Sequence, residues 1–81
     1  MYLGIDIGSV SSNAVLLDGK CNILAYEILP SGYDHRETAK TLSHSICSKI
    51  GILQERIIRT AATGYGRRNV PFADKTVTEI T

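Results

Sequence analysis

The sequence predicts an α/β fold in which three antiparallel strands are followed by one helix and then by a strand parallel to the first. Three observations indicate this order. Tyr2–Ile7 alternates between the two faces of a strand, and two further apolar segments follow within the first thirty residues, separated by turn segments. A helical segment with recognisable start and stop residues comes next, and a further apolar run follows it. Because such crossovers are right-handed, the last strand should lie beside the first and parallel to it.

The strands of the first half are expected over Tyr2–Ile7, Asn13–Leu17 and Asn22–Leu29. Alternate residues of the first strand are apolar, which places them together on one face of the sheet. Asp18 followed by Gly19 predicts a tight two-residue hairpin between the second and third strands, because both residues tolerate positive φ.

The helix is expected to begin after Asp34, which can cap it, with Glu37 in the capping-box position. It should end at Gly51. The apolar side chains at helical spacing predict the stripe that faces the sheet; they are Ala39, Leu42, Ile46 and Ile50.

Two further strands are predicted in the second half. Ile57–Ala62 is apolar enough to form a buried fourth strand, and a glycine-punctuated loop over Thr63–Arg67 follows it. Val70 precedes a proline and is therefore expected in extended geometry. Thr76–Thr81 is either a fifth strand or the approach to another helix.

Composition limits the function classes. The 81 residues make one small domain at most, which would bury roughly 60% of the surface that its unfolded chain exposes. A net charge of +1 gives no field that favours nucleic acid or a membrane. The longest apolar run is far shorter than the roughly 20 residues that span a bilayer. No secretion signal precedes the first strand, so the cytoplasm is the expected compartment.

The cysteines and histidines carry no motif. Cys21 and Cys47 lack the paired spacing of a zinc or redox site, so both are expected to be reduced structural thiols. His35 and His44 have no carboxylate or cysteine at ligand spacing. We expect them to be solvated and assign them no function.

Asp6 is the first candidate functional residue. It ends an apolar strand, where a carboxylate is costly unless it is solvated, paired or bound to a metal. A hydrated Mg²⁺ needs only one or two protein oxygens, so Asp6 could hold it. The alternative is that Asp6 caps the following turn through backbone N–H groups. Exposed N–H groups and hydroxyls in that turn would suit phosphate oxygens. The turn residues concerned are Gly8, Ser9, Ser11 and Ser12.

The Thr63–Arg67 loop is the second candidate. Gly64 and Gly66 permit close approach of the backbone to a ligand, and the Arg67 guanidinium suits phosphate oxygens. A flexible surface loop with a solvated arginine is the alternative. The carboxyl ends of adjacent parallel strands line a ligand crevice, so this loop and the turn after Asp6 should approach the same volume.

Three segments together resemble one known family: Gly4–Ser9, Ala62–Arg67 and Ala73–Lys75. They are similar to the amino-terminus of the ATPase activators of 2-hydroxyacyl-CoA dehydratases and the ATP-hydrolysing subunits of benzoyl-CoA reductase. These proteins belong to the actin-like ATPase superfamily. The first segment is specific only to that superfamily, and the other two narrow the resemblance. It implies that residues 1–81 are the amino-terminal part of a ribonuclease-H-like (actin-like ATPase) domain, which they leave incomplete.

The resemblance implies ATP and Mg²⁺ as ligands. Asp6 matches the aspartate that binds Mg²⁺ through water. Asn13 departs from the lysine common at its position, which removes a positive charge from the phosphate side, although its amide can still donate a hydrogen bond. The Thr63–Arg67 loop matches a family signature, from which no catalytic role is carried over. Gly64 and Arg67 are expected to bind the nucleotide on the chemical grounds given above. The residues that match the first phosphate hairpin are Gly8, Ser9, Ser11, Ser12 and Asn13.

The family further implies a homodimer that shares one [4Fe–4S] cluster and passes a low-potential electron to a partner dehydratase or reductase upon ATP hydrolysis. Cys21 and Cys47 do not match the cluster ligands, which in the family lie beyond position 81, as do the second phosphate loop and the adenosine pocket. We therefore expect the 81 residues alone to hydrolyse little or no ATP.

Two alternatives stay open. A sugar or carboxylic-acid kinase of the same superfamily would share the Asp6 hairpin, although the Gly64–Arg67 segment argues against it. A non-catalytic ribonuclease-H-like module that binds a partner protein is the other. Neither nucleic acid nor a membrane is an expected partner.

Overall fold

One sheet and one helix make up the part of the protein that is described by the computed structural model, residues 1–64, 66, 70 and 73–76. The strand order in the sheet is β3-β2-β1-β4-β5. β1 is antiparallel to β2 and parallel to β4, which confirms the predicted topology. The elements in chain order are β1 (Tyr2–Ile7), β2 (Ser11–Leu17), β3 (Ile23–Pro30), α1 (His35–Ile50), a 3₁₀ turn (Gln54–Arg56), β4 (Arg59–Thr63) and β5 (Lys75–Thr76).

The core lies between α1 and one face of the sheet. The alternate residues of β1 that the sequence placed on one face, Leu3, Ile5 and Ile7, are all buried there. Neighbouring strands, α1 and one residue between β4 and β5 complete the cluster, which adds Ala14, Leu16, Ala39, Leu42, Ile46, Cys47, Ala62 and Val70. The polar residue Asp6 consequently lies on the other face, away from the helix.

Both predicted helix ends are confirmed. The Asp34 carboxylate accepts hydrogen bonds from the backbone N–H groups of Arg36 (3.0 Å) and Glu37 (3.3 Å). At the other end Gly51 adopts φ 69°, the left-handed conformation that glycine takes most easily. Ile50 departs from the expected stripe because the helix ends there, and its side chain is exposed while Cys47 is buried.

The predicted two-residue hairpin at Asp18–Gly19 is wrong. Leu17 pairs with Ile23, so five residues form the loop. The Asp18 carboxylate organises it by accepting hydrogen bonds from the backbone N–H groups of Lys20 (2.8 Å) and Asn22 (2.9 Å). The loop residue with positive φ is Cys21, at 64°, and not Gly19. An Asx-type turn therefore replaced the tighter turn that the dipeptide suggested.

The fourth strand starts later than predicted and is not buried throughout. A 3₁₀ turn holds the chain before it, and the Ile57 N–H donates to the Gln54 carbonyl at 3.0 Å. β4 then runs over Arg59–Thr63, with Thr60 and Ala62 buried and Arg59 and Ala61 exposed. Only one of its faces meets the core, which explains the alternation.

A short fifth strand extends the sheet. β5 is parallel to β4, and Asp74 secures the approach to it: its carboxylate accepts from the Thr60 N–H at 2.6 Å while its own N–H donates to the Thr60 carbonyl at 2.7 Å. The element predicted over Thr76–Thr81 is a strand at Thr76, and residues 77–81 lie outside the described part. Among the described residues, no helix has the length and apolar character needed to span a membrane.

Candidate functional site

Three polar side chains form a row across the middle of the sheet, on the face opposite α1. In the strand register Asp6 of β1 lies between Asn13 of β2 and Thr63 of β4. Residues paired in this way point to the same face of a sheet. All three are half-buried. The row therefore offers a carboxylate flanked by an amide and a hydroxyl at the carboxyl end of β1.

The second loop is seated directly on the Asp6 carboxylate. Gly64 follows β4 with φ 91°, and a Cβ atom at this position would overlap Asp6 Oδ1 and the Ile7 carbonyl oxygen. Only glycine allows both the conformation and the close approach. The predicted approach of the Thr63–Arg67 loop to the end of β1 is thus confirmed at Gly64, and the steric argument explains why a glycine stands here.

A second contact fixes the same loop to the end of β1. The Gly66 N–H donates to the Ile7 carbonyl at 2.8 Å. A Cβ atom on Gly66 would overlap both the His35 imidazole and the Ile7 side chain. His35, which we expected to be solvated, is therefore half-buried between α1 and this loop, whereas His44 is exposed as expected. Arg67, the predicted phosphate ligand, lies outside the described residues.

The turn between β1 and β2 presents open backbone donors. The Gly8 N–H donates to the Ser11 carbonyl at 3.1 Å, and a Cβ on Gly8 would overlap that same oxygen. Ser9 and Val10 form the exposed tip. Within the described part of the chain their N–H groups meet no acceptor. The alternative role of Asp6 as a cap of this turn gains no support, because the hydrogen bonds from described backbone N–H groups to carboxylates go to Asp18, Asp34 and Asp74.

Ser12 takes a different position from its neighbours in the turn. Its side chain is fully buried on the core side, where Oγ lies 2.7 Å from Oγ of Ser31. Ser31 in turn donates to the Gly8 carbonyl at 2.5 Å. Ser31 was not among the residues predicted for the site. Its sole sequence signal is a small hydroxyl residue in a turn, which is too common to be informative.

Hydrogen bonds and burial shift three pKa values, all of groups outside the site. A hydrogen bond from Ser45 lowers the pKa of Glu27, and Lys49 lies 3.6 Å from the same carboxylate. Hydrogen bonds from Asn22 lower the pKa of Asp18, at the opposite end of β2. Burial raises the pKa of Cys47. Among the described residues Lys49 and Glu27 form the one ion pair, so no described cation neutralises Asp6.

The donor set suits magnesium and does not suit an iron–sulfur cluster. One half-buried carboxylate without a described ion-pair partner fits a cation that keeps most of its waters. The described residues contain no group of three or more His, Cys, Asp or Glu side chains placed to hold a metal. Cys47 is buried on α1 and Cys21 is exposed in the β2–β3 loop. No cluster chemistry can be assigned to these two thiols.

Solved structures share this architecture. Component A of (R)-2-hydroxyglutaryl-CoA dehydratase from Acidaminococcus fermentans matches with a TM-score of 0.83 and 29% identity, over 95% of this chain and 30% of that one. The activator of 2-hydroxyisocaproyl-CoA dehydratase from Clostridium difficile, solved with bound ADPNP, matches with a TM-score of 0.80 and 32% identity, over 95% of this chain and 28% of that one. The sheet and helix are those of the actin-like ATPase fold.

Comparison with protein sequences finds relatives of one functional class, although no family model matches the chain. The activator of lactoyl-CoA dehydratase from Anaerotignum propionicum is 45% identical over 82 residues, which cover 99% of this chain and 31% of that protein. By sequence and by fold, the chain is homologous to the 2-hydroxyacyl-CoA dehydratase activators, as the motifs indicated. It spans about 30% of the length of these relatives.

Proposed function

We propose that this chain supplies the phosphate-binding and magnesium-binding part of an ATP-dependent activator of a 2-hydroxyacyl-CoA dehydratase-type enzyme. The observation that carries the proposal is the packing of Gly64 on the Asp6 carboxylate, beside a turn with open N–H groups. A negatively charged nucleotide and its cation need these two features side by side.

Each residue of the site has a separate task in this proposal. Asp6 holds Mg²⁺ through bound water, and the metal neutralises part of the phosphate charge. The N–H groups of Ser9 and Val10 donate to phosphate oxygens from the open tip of the turn. Asn13, which is paired with Asp6 in the register, donates through its amide. Gly64 closes the site from the side of β4.

The proposal that the protein activates a dehydratase at the expense of ATP is based on its similarity to the dehydratase activators. One of them was solved with ADPNP, a nucleotide that matches the proposed ligand. We further propose that ATP hydrolysis drives a low-potential electron to a dehydratase or related reductase partner in the cytoplasm. The homodimer and the shared [4Fe–4S] cluster belong to the same proposal and need ligands other than Cys21 and Cys47.

The kinase alternative shares the Asp6 hairpin and is less well supported. The 45% identity to a dehydratase activator favours the first function. A non-catalytic binding module would carry the same fold and would leave the carboxylate and the open N–H groups without a ligand.

Calorimetric titration with Mg·ADPNP tests the proposal, on the protein at its full encoded length. Asp6→Asn should weaken binding about tenfold or more, because hydrogen bonds to charged groups contribute roughly 1.5–3 kcal/mol each. In the presence of EDTA the two proteins should bind the nucleotide with similar affinity, because Asp6 acts through the metal.

Asp18→Asn is the matched control. It makes the same charge change at the other end of β2, where it should leave the affinity unchanged. The absence of nucleotide binding in the unaltered protein would favour the non-catalytic module. Binding that is equally tight in Asp6→Asn would contradict the assignment of Asp6.

A further inference from the structure

Ser31 lies where the turn after β1, the end of β3 and the start of α1 meet. It is fully buried. Its Oγ donates to the Gly8 carbonyl at 2.5 Å, and its backbone N–H donates to the Val10 carbonyl at 2.9 Å. Its own carbonyl accepts from the Thr38 hydroxyl in the first turn of α1. One residue thus connects the turn to the helix.

The Ser12 and Ser31 hydroxyls form a chain of hydrogen bonds that ends at the Gly8 carbonyl. Which group donates in each bond follows from the number of protons. A carbonyl can only accept, so the single proton of the Ser31 hydroxyl points to Gly8. The contact between the Ser12 and Ser31 hydroxyls is then donated by Ser12. The chain runs from Ser12 through Ser31 to the Gly8 carbonyl, and every hydroxyl proton in it is used.

Ser31 fixes the orientation of two peptide groups, one through its hydroxyl and the other through its backbone N–H. The carbonyl of one residue and the N–H of the next belong to the same planar unit and point in opposite directions when the bond is trans, and none of the described peptide bonds is cis. Because Ser31 holds the carbonyls of Gly8 and Val10, the N–H groups of Ser9 and Ser11 are turned away from Ser31. The two carbonyl oxygens, which would repel a phosphate, are kept on the inner side.

We propose that Ser31 is a positioning residue that aims the backbone N–H groups of Ser9 and Ser11 at an anionic ligand. The inference rests on the proposed nucleotide function for the identity of that ligand. Ser31 does not touch the ligand itself, because its side chain is buried beneath the turn.

Ser31→Ala is the first test, on the protein at its full encoded length, with Mg·ADPNP as the probe. We expect about tenfold weaker binding, because the Gly8 carbonyl loses its partner and the Ser9 N–H is no longer aimed. Ser43→Ala is the matched control. It removes a buried hydroxyl from α1, hydrogen-bonded to Gln54, and should cost stability without changing affinity.

The double variant Ser12→Ala with Ser31→Ala separates positioning from stability. Ser31→Ala alone leaves the buried Ser12 hydroxyl without its acceptor, and the second substitution removes that orphaned group. Stability in urea should therefore recover in part while binding stays weak. If binding recovers together with stability, or if Ser31→Ala binds as tightly as the unaltered protein, the inference is overturned.

Amide hydrogen exchange tests the positioning role of Ser31 independently of the proposed nucleotide binding. Without any nucleotide, Ser31→Ala should speed exchange of the Gly8 N–H, which is protected by the turn that Ser31 holds. Faster exchange in a protein that binds no nucleotide would contradict the proposed function and leave the positioning role standing. Unchanged exchange would count against the positioning role itself.

Discussion

Gly64 is the residue of the site at which we expect a substitution to be most disruptive. In Gly64→Ala the new methyl group would overlap Asp6 Oδ1, and the backbone would have to keep φ 91° with a side chain present. We expect a loss of about 1–3 kcal/mol in the free energy of unfolding, measured by urea denaturation. Affinity for Mg·ADPNP should fall as well, because the carboxylate must move.

Gly19→Ala provides the control for this substitution. Gly19 lies in the β2–β3 loop, where a Cβ atom meets nothing within 4 Å. Alanine there should leave both stability and affinity nearly unchanged. If the two variants behave alike, steric contact with Asp6 does not account for the glycine at position 64.

The two cysteines should differ in reactivity although neither is paired. Cys21 is exposed, while burial of Cys47 raises the pKa of its thiol and keeps it in the unreactive neutral form. Iodoacetamide at neutral pH should label Cys21 in the folded protein and Cys47 only after unfolding in urea. Mass spectrometry of the labelled peptides would measure this, and equal labelling of both thiols in the folded state would contradict it.

At the scale of elements, β3 and α1 are joined by a polar contact that depends on pH. Ser45 donates to the Glu27 carboxylate at 2.8 Å and lowers its pKa below the ordinary value of 4.5. A carboxyl whose pKa is lower in the folded state stabilises the fold above its unfolded pKa, and the contribution is lost as the pH falls through the folded pKa.

Glu27→Gln should therefore flatten the acid limb of the stability curve. The free energy of unfolding, measured in urea from pH 7 down to about pH 3, should fall less steeply in this variant than in the unaltered protein. Glu55→Gln, at an exposed carboxylate of the 3₁₀ turn, is the control and should retain the original slope. Identical slopes in all three proteins would exclude a role for Glu27.

The elements also show what local sequence could and could not predict. β1 and α1 were predictable because alternation, an aspartate cap and a stop glycine are local signals that the tertiary structure did not override. The β2–β3 loop was not, because Asp18 found partners at Lys20 and Asn22 that compete with a two-residue turn. Ser31 was invisible for a related reason: its partners, Gly8 and Val10, are distant in sequence and meet it only through the sheet.

For the whole molecule, the strand order predicts a gradient of local stability. β1 lies between β2 and β4 and contributes three buried side chains, whereas β3 is an edge strand with Tyr26 and Ile28 exposed. Hydrogen exchange followed by NMR should show slower exchange for the β1 amides as a group than for the β3 amides. Comparable rates in both strands would mean that the sheet opens as a single unit.

The parallel pairing of β1 with β4 also determines when the site is completed during folding. The β1–β2 and β2–β3 contacts join neighbouring segments, but Tyr2 must find Arg59 across most of the chain. Such distant closures form slowly. Asp6 and Gly64 come together only through this closure, so the carboxylate lacks the glycine that covers it until β4 has paired with β1. The nucleotide should then bind molecules in which β1 and β4 are paired and not those in which this pairing is missing. A nucleotide present during refolding should therefore stabilise only the product of this final pairing step.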